Sequence, residues 1–145
     1  MATGLITTNN GNHVWRILDA ATATNSPPSG ALAGVANPAA SVNPLPTEVT
    51  VAVYSTAGSG VMTATIKLWG YLAAPGVWVP MGVGADTTKG TLNAGAAIGE
   101  TTADKILHSE RVVGLFSYDR VYAEVTAIGG TATAVTVDAI IEPQR

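Results

Sequence analysis

The side chains that most often carry catalysis or bind metals are few in this sequence and widely spaced. Cysteine is absent, which excludes thiol catalysis, iron–sulfur clusters and thiolate zinc sites. His13 and His108 are the only histidines, and neither a His-x-His nor a His-x-x-x-His pair occurs. Ser59 lies in Gly58-Ser59-Gly60, which lacks the Gly-x-Ser-x-Gly spacing of a nucleophile elbow. We therefore expect no catalytic residue, no metal site and no bound cofactor.

Two further patterns resemble ligand-binding loops without matching them. Gly82-x-Gly84 with Lys89-Gly90 does not have the Walker spacing, and no predicted helix follows to direct its dipole at a phosphate. The closely spaced aspartates of a calcium loop are also missing. The aspartates in the second half of the chain are widely separated in sequence: Asp86, Asp104, Asp119 and Asp138. We interpret the first pattern as a loop and expect no calcium site.

Three aromatic residues, Trp69, Tyr71 and Trp78, leave two interpretations open. Rings exposed on one face of a sheet could stack on sugars, which would make the protein a carbohydrate-binding module. Alternatively, they fill the core or an interface, where aromatic side chains bury the largest area. Because aromatic residues make up only 6 % of the chain, the general preference for burial favours the core. We therefore expect Trp69 and Trp78 to be buried.

The composition predicts a single domain whose surface carries little charge. Charged residues make up 12 % of the 145-residue chain, against about 25 % in typical soluble domains. A surface so poor in charge indicates contact with another protein. The net charge of −3, with the basic residues scattered along the chain, argues against binding to nucleic acid. No apolar run is long enough to cross a bilayer, and the first residues do not form a secretory signal.

Alternation of apolar and polar residues with a period of two predicts most of the secondary structure. The predicted strands are His13–Asp19, Glu48–Tyr54, Val61–Tyr71, Val77–Val79, Val112–Tyr118, Arg120–Ile128 and Thr133–Glu142, with residues 101–108 open between a strand and one helical turn. The loop at residues 55–60 and the pair Gly129-Gly130 each predict a hairpin between the strands that flank them. The sequence thus indicates an all-β fold, an antiparallel β-sandwich or jelly roll.

Residues 1–46 differ from the rest of the chain and are expected to form an extended N-terminal arm, followed by a sandwich domain over residues 47–145. Between Ala20 and Pro46 no charged residue occurs, while five of the eight prolines do, so this stretch is predicted to be extended or irregular. A disordered linker is the other interpretation. The residues expected to contact a partner are Trp15, Ile17, Leu32, Val35, Val42 and Leu45.

Three segments of the sandwich resemble small β proteins encoded among tailed-phage virion genes. They are Leu68-Trp69-Gly70-Tyr71, Val77-Trp78-Val79-Pro80-Met81-Gly82, and Tyr118-Asp119-Arg120-Val121-Tyr122-Ala123-Glu124-Val125 with the hairpin predicted after it. The resemblance covers about residues 47–142 and is to the capsid decoration, or cement, proteins. It implies a jelly-roll or β-tulip fold, a dimer or trimer, and binding to the major capsid protein at local symmetry axes.

Composition and resemblance together lead to a functional hypothesis. We expect a non-enzymatic structural protein that decorates and stabilises a phage capsid, made in the bacterial host cytoplasm and carried on the outer surface of the virion. The expected partners are the major capsid protein and further copies of this chain as a homodimer or homotrimer, with no nucleic acid and no membrane. The alternative is a carbohydrate-binding or host-recognition β module of a phage particle.

Overall fold

The structure is a computed structural model that describes residues 4–7, 13–28, 48–57, 60–73, 75–81, 90–102, 106–113, 118, 120–131 and 134–141. These residues form nine β-strands and one short 3-10 turn. The strands are β1 (Gly4–Thr7), β2 (His13–Ala21), β3 (Glu48–Ser55), β4 (Gly60–Leu72), β5 (Val77–Pro80), β6 (Ile98–Thr102), β7 (Ile106–Val113), β8 (Arg120–Gly130) and β9 (Val135–Ile141), and the turn is Leu92–Gly95. No helix among the described residues is long and apolar enough to span a membrane.

The strands form two antiparallel sheets. Sheet A has five strands in the order β1-β2-β9-β3-β7. Sheet B is built around the long strand β4, which pairs with β8 along one side. On its other side β4 pairs with β6 through Gly60–Ala64 and with β5 through Trp69–Leu72. Gly90 and Thr91 fill the gap between these two short strands, since Leu68 N donates to Gly90 O at 2.8 Å.

One apolar core lies between the two sheets, as the predicted alternation requires. Sheet A contributes the inward-facing residues of β2, β3 and β9, and sheet B those of β4, β6 and β8. Successive side chains of a strand point to opposite faces, so each strand presents every second residue to the core. The core members are Ile17, Val51, Val53, Met62, Ala64, Ile66, Leu68, Met81, Leu92, Ile98, Val121, Ala123, Val125, Val135, Val137 and Ala139. The all-β antiparallel sandwich character predicted from the sequence is confirmed.

The two predicted hairpins are wrong, because both connections cross from one sheet to the other. β3 lies in sheet A and β4 in sheet B, so the loop after Ser55 does not join paired strands. β8 pairs with β4, whereas β9 pairs with β2 and β3. The strands β3 and β4, and likewise β8 and β9, therefore face each other across the core and are not hydrogen-bonded neighbours in one sheet.

Residues 13–28, which the sequence places in the N-terminal arm, pair and pack with the sandwich of their own chain. β2 lies between β1 and β9 in sheet A, and Ile17 is 6 % exposed within the core. The chain then leaves sheet A and reaches sheet B, where Asn25 bonds to β8. We call residues 22–28 the strap. Residues 4–7 of the predicted arm form β1, and its remaining residues, 1–3, 8–12 and 29–46, lie outside the described residues.

A polar network on the outer face of sheet A joins three strands. The Arg16 guanidinium of β2 donates to both carboxylate oxygens of Asp138 on β9, at 2.9 and 3.2 Å. The Tyr54 hydroxyl of β3 donates to Asp138 Oδ2 at 2.5 Å and accepts a bond from Arg16 Nη2 at 2.9 Å. Asp138 is only 4 % exposed, so its charge is compensated by partners in place of water.

The same network shifts the ionisation of its members. The hydrogen bond to Asp138 raises the pKa of the Arg16 guanidinium, against the opposing effect of burial. Burial raises the pKa of Tyr54 to about 12, and the hydrogen bond to Asp138 adds to this effect. The Arg16 guanidinium thus stays charged and the Tyr54 phenol stays protonated at neutral pH, and their hydrogen bonds to Asp138 join β2, β3 and β9 on this face.

Candidate functional site

The outer face of sheet B brings aromatic side chains together with charged and hydroxyl-bearing ones. On β4, the alternation that buries Met62, Ile66 and Leu68 turns Lys67 and Trp69 outward. On β8, the same alternation turns the intervening residues Tyr122, Glu124 and Thr126 to this side, since Val121, Ala123 and Val125 enter the core. The pairing of β4 with β8 sets Lys67 beside Glu124, Trp69 beside Tyr122 and Tyr71 beside Arg120.

At one end of this face, three aromatic rings pack against one another. Trp78 on β5 lies 5.1 Å from Tyr71 at an interplanar angle of 50°, and 6.1 Å from Tyr122 at 66°. The Arg120 guanidinium lies over the Tyr71 ring at 5.3 Å. We call these four residues the aromatic end. The tilted and edge-on contacts are the arrangements that aromatic pairs prefer, and they leave Trp78 half-buried.

The strap touches the aromatic end through Tyr122. The Tyr122 hydroxyl donates to the carbonyl oxygen of Ser26 at 2.9 Å. Burial raises the pKa of Tyr122, and the nearby Glu124 carboxylate adds to the rise. The phenol therefore stays protonated at neutral pH and serves as a donor that joins β8 to the strap.

Beside the aromatic end lies an open groove of about 510 Å³. β4 and β8 form the floor of the groove. Pro27 of the strap forms one rim, and Thr91 and Gly95, just before and within the 3-10 turn, form the other. The lining residues are Pro27, Thr65, Lys67, Trp69, Thr91, Gly95, Glu124 and Thr126. We call this feature the groove. Its volume lies within the range of roughly 300–1,000 Å³ that is usual for small-molecule sites.

Trp69 is held in a fixed orientation on the floor of the groove. Its indole Nε1 donates to Glu124 Oε2 at 2.7 Å, and the Lys67 ammonium lies 4.4 Å from the ring centroid. Glu124 is 7 % exposed, so the hydrogen bond from Trp69 compensates part of its lost hydration. One positive and one negative side chain thus stand within the same groove.

The turn that forms the second rim is locally strained and supported from sheet A. Asn93 and Ala94 have φ of 57° and 52°, a left-handed conformation that asparagine adopts more readily than most residues but that costs alanine roughly 1–2 kcal/mol. Glu110 on β7 supports the turn, since Asn93 N donates to Glu110 Oε1 at 2.6 Å. His108 Nε2 lies 2.7 Å from the same oxygen. The Glu110 side chain therefore holds the turn that forms the second rim of the groove.

The residues selected from the sequence occupy different environments. Ile17 is buried in the core, whereas Trp15 lies on β2 opposite Leu5 and Ala139. The other four predicted contact residues, Leu32, Val35, Val42 and Leu45, lie outside the described residues, as do Ser59 and residues 82–89.

The expectation that Trp69 and Trp78 are buried in the core is wrong. Both are half-buried on the outer face of sheet B and neither belongs to the core cluster. The alternation along β4 already placed Trp69 opposite Met62 and Leu68, so the apolar residues of that strand take the inward positions. Sequence reasoning missed Lys67, Glu124 and Asn25, because only the pairing of β4 with β8 and the path of the strap bring them to this face.

No family model, no curated protein and no solved structure matches the chain. Among the described residues, no three His, Asp or Glu side chains come together as a metal site. The described chemistry of this face thus rests on aromatic rings, the Lys67 ammonium, the Arg120 guanidinium, the Glu124 carboxylate and several hydroxyl groups.

Proposed function

We propose that this protein is a non-catalytic structural component of a tailed-phage virion, which binds the major capsid protein lattice on the outer capsid surface and stabilises it. The observation that carries the proposal is the low charge of the folded surface. The chain contains seven basic and ten acidic residues and has an accessible surface of 7493 Å², so the surface carries at most one charge for roughly 440 Å². A surface of this kind is suited to contact with another protein.

The folded structure lowers the exposed charge further. Arg16 and Asp138 form an ion pair whose side chains are 19 % and 5 % exposed. Glu124 is buried beside Trp69. Charged groups that are buried or paired within the chain interact less with solvent, so the charged share of the exposed surface falls. This supports a large protein contact rather than a freely solvated monomer.

The aromatic end supplies a candidate contact for the lattice. Trp, Tyr and Arg are the residue types that most often dominate the binding energy of protein interfaces. Here two tyrosines, one tryptophan and one arginine are already packed together on one sheet face. Because their side chains are partly ordered before binding, less conformational entropy is lost when a partner covers them.

We also propose that the strands have the jelly-roll connectivity implied by the resemblance to decoration proteins. The protein is further proposed to assemble as a homodimer or homotrimer and to be made in the bacterial host cytoplasm. The Pro-rich stretch with Leu32, Val35, Val42 and Leu45 stays the predicted contact to a neighbouring subunit or to the capsid. Ala, Gly and Pro lose little side-chain entropy on ordering, so modest apolar contact could hold such a stretch in place.

The proposal is tested by adding purified protein to undecorated heads of the virus that encodes it, then measuring co-sedimentation and the temperature at which the heads rupture. We expect saturable binding and a higher rupture temperature. Absence of binding, or binding without any change in rupture temperature, would contradict a stabilising role.

A matched pair of variants tests the aromatic end. Trp78→Ala removes the central ring of the cluster, and we expect it to weaken binding to heads by more than tenfold. Val61→Ala is the control, because Val61 is 46 % exposed and lies on β4 at the end of sheet B opposite to Trp78. Equal binding by both variants would exclude the aromatic end as the docking contact.

A further inference from the structure

The groove has features that point to a small ligand rather than to the capsid contact proposed above. It lies between two rims that the fold supports separately. The first rim is anchored to β8 by Asn25, whose side chain bonds to Ala123 O at 3.2 Å and Val125 N at 2.6 Å. The second is anchored to β7 through Asn93 and Glu110. A concavity with two supported rims is largely formed before any ligand arrives.

The charges in the groove define the kind of ligand it can accept. Lys67 and Glu124 stand side by side on the floor, so the groove carries no net charge. A phosphate or other anion attracted by Lys67 would be repelled by Glu124, and a cation attracted by Glu124 would be repelled by Lys67. The described lining therefore favours a ligand that is polar but uncharged.

The hydrogen-bonding groups favour a ligand rich in hydroxyl groups. Thr65, Thr91 and Thr126 line the groove, and each hydroxyl both donates and accepts. The Thr126 hydroxyl donates to Thr65 O at 3.2 Å, which leaves its oxygen as an acceptor on the floor. Lys67 offers only donors and Glu124 only acceptors, and hydrogen bonds to such charged groups are about twice as strong as neutral ones.

Trp69 adds an apolar surface at the centre of these polar groups. The indole is fixed by Glu124 and Lys67, so little rotamer entropy remains to be lost when a ligand covers it. A ligand that combines hydroxyl groups on its edges with apolar C–H faces matches a fixed ring surrounded by donors and acceptors. Sugars are the common biological molecules with this combination.

We propose that the groove is a binding site for an uncharged glycan segment. Trp69 packs against a sugar face, Lys67 donates to ring or hydroxyl oxygens, and Glu124 accepts from hydroxyl groups. The three threonines complete the polar contacts. Pro27 and Gly95 limit the width of the site from its two rims.

The experiment uses the full chain and soluble hexasaccharides of neutral sugars: cellohexaose, maltohexaose, xylohexaose and chitohexaose. A sulfated heparin hexasaccharide serves as the charged comparison. Binding is measured by calorimetry and by tryptophan fluorescence. We expect at least one neutral hexasaccharide to bind with saturation, and the sulfated one not to bind. Failure of all the neutral probes, or binding of the sulfated probe alone, would overturn the proposal.

Variants in the groove show whether any binding occurs there. Glu124→Gln keeps an oxygen that accepts from Trp69 while removing the charge, and Lys67→Met keeps the aliphatic stem. We expect each variant to raise the Kd for the glycan about tenfold, which corresponds to ~1.4 kcal/mol. Val61→Ala, at an exposed position of β4 outside the lining of the groove, is the control and should bind glycan as wild type does. Equal losses in the control and in the groove variants would place the binding elsewhere.

The outcome is separable from that of the capsid experiment. Glycan binding is measured on the free protein, and attachment to heads is measured without sugar. A protein that binds heads but no neutral glycan would overturn the glycan proposal alone. One that binds glycan but no heads would overturn the proposed capsid function alone.

Discussion

Asn25 bonds to Val125 in the way a paired strand residue would. The Asn25 backbone N donates to Val125 O at 3.3 Å, and its side-chain Oδ1 accepts from Val125 N at 2.6 Å. β8 pairs with β4 on one side only, so these bonds cover part of its other edge in the described structure. An open strand edge invites pairing with other chains, and a short polar segment that covers it reduces this hazard.

Replacing Asn25 by Ala should destabilise the protein by about 1–3 kcal/mol, because Val125 N and Ala123 O lose their partners on a largely buried strand. Denaturant unfolding measures the loss, and hydrogen exchange at the Val125 amide reports it locally. Ser26→Ala is the matched control, since only the backbone oxygen of Ser26 is bonded to Tyr122. Unchanged exchange at Val125 in Asn25→Ala would contradict the edge role.

Ile17→Ala should lower the free energy of unfolding of the isolated protein by about 2–4 kcal/mol, because it opens a cavity in the core between the sheets. If Ile17 instead served mainly as a partner contact, as its sequence context suggested, the isolated protein would keep its stability and only assembly would suffer. Thermal or denaturant unfolding of the free chain separates these two results. Thr22→Ala, at an exposed position after the same strand, provides the control.

Raising the pH should destabilise the protein through Tyr54. In the folded protein the pKa of Tyr54 is raised to about 12, whereas a tyrosine in the unfolded chain has a pKa of about 10. The unfolded chain therefore loses this proton at a lower pH. The stabilisation is complete below about pH 10 and is lost as the pH rises through about 12. Unfolding free energies measured across this interval should fall less steeply in Tyr54→Phe. Tyr122 remains in the variant and, having a raised pKa too, leaves a residual slope. Parallel curves for the two proteins would contradict the effect.

Gly70→Ala should destabilise the sandwich by about 1–3 kcal/mol, because the new methyl group would overlap the ring of Tyr118, which packs directly over this glycine. In a Tyr118→Ala background the same change should cost much less, and a double-mutant cycle measures the difference. Gly129→Ala is the control on β8, where the added carbon approaches only the rotatable hydroxyl of Thr63. Additive losses in the cycle would show that the two residues do not interact.

The sequence predicts which residues of a strand face the core but not which strands are neighbours. Along β4, the alternation correctly assigned Met62, Ile66 and Leu68 to one face and Trp69 to the other. A period of two carries no information on the partner, and a glycine-containing connection suits a hairpin and a crossing between sheets equally well. Both predicted hairpins failed for this reason.

The candidate site was less predictable than the fold. Lys67 and Trp69 share one face of one strand, so their proximity could be expected from the sequence. Glu124 lies 55 residues from Trp69, and the two meet only because β4 pairs with β8. Asn25 depends on the strap reaching sheet B after β2, which no local pattern indicates. Contacts of this kind are set by tertiary packing alone.

The position of β9 governs when the protein can fold during its synthesis. β9 is the last of the described strands, yet it occupies the middle of sheet A between β2 and β3. Until residues 135–141 have been made, sheet A remains in two pieces, β1–β2 and β3–β7. Pairing over such long sequence separations is slow. A chain interrupted before Val135 therefore presents two open strand edges and an uncovered apolar face, and becomes a template for aggregation with its neighbours on the polysome.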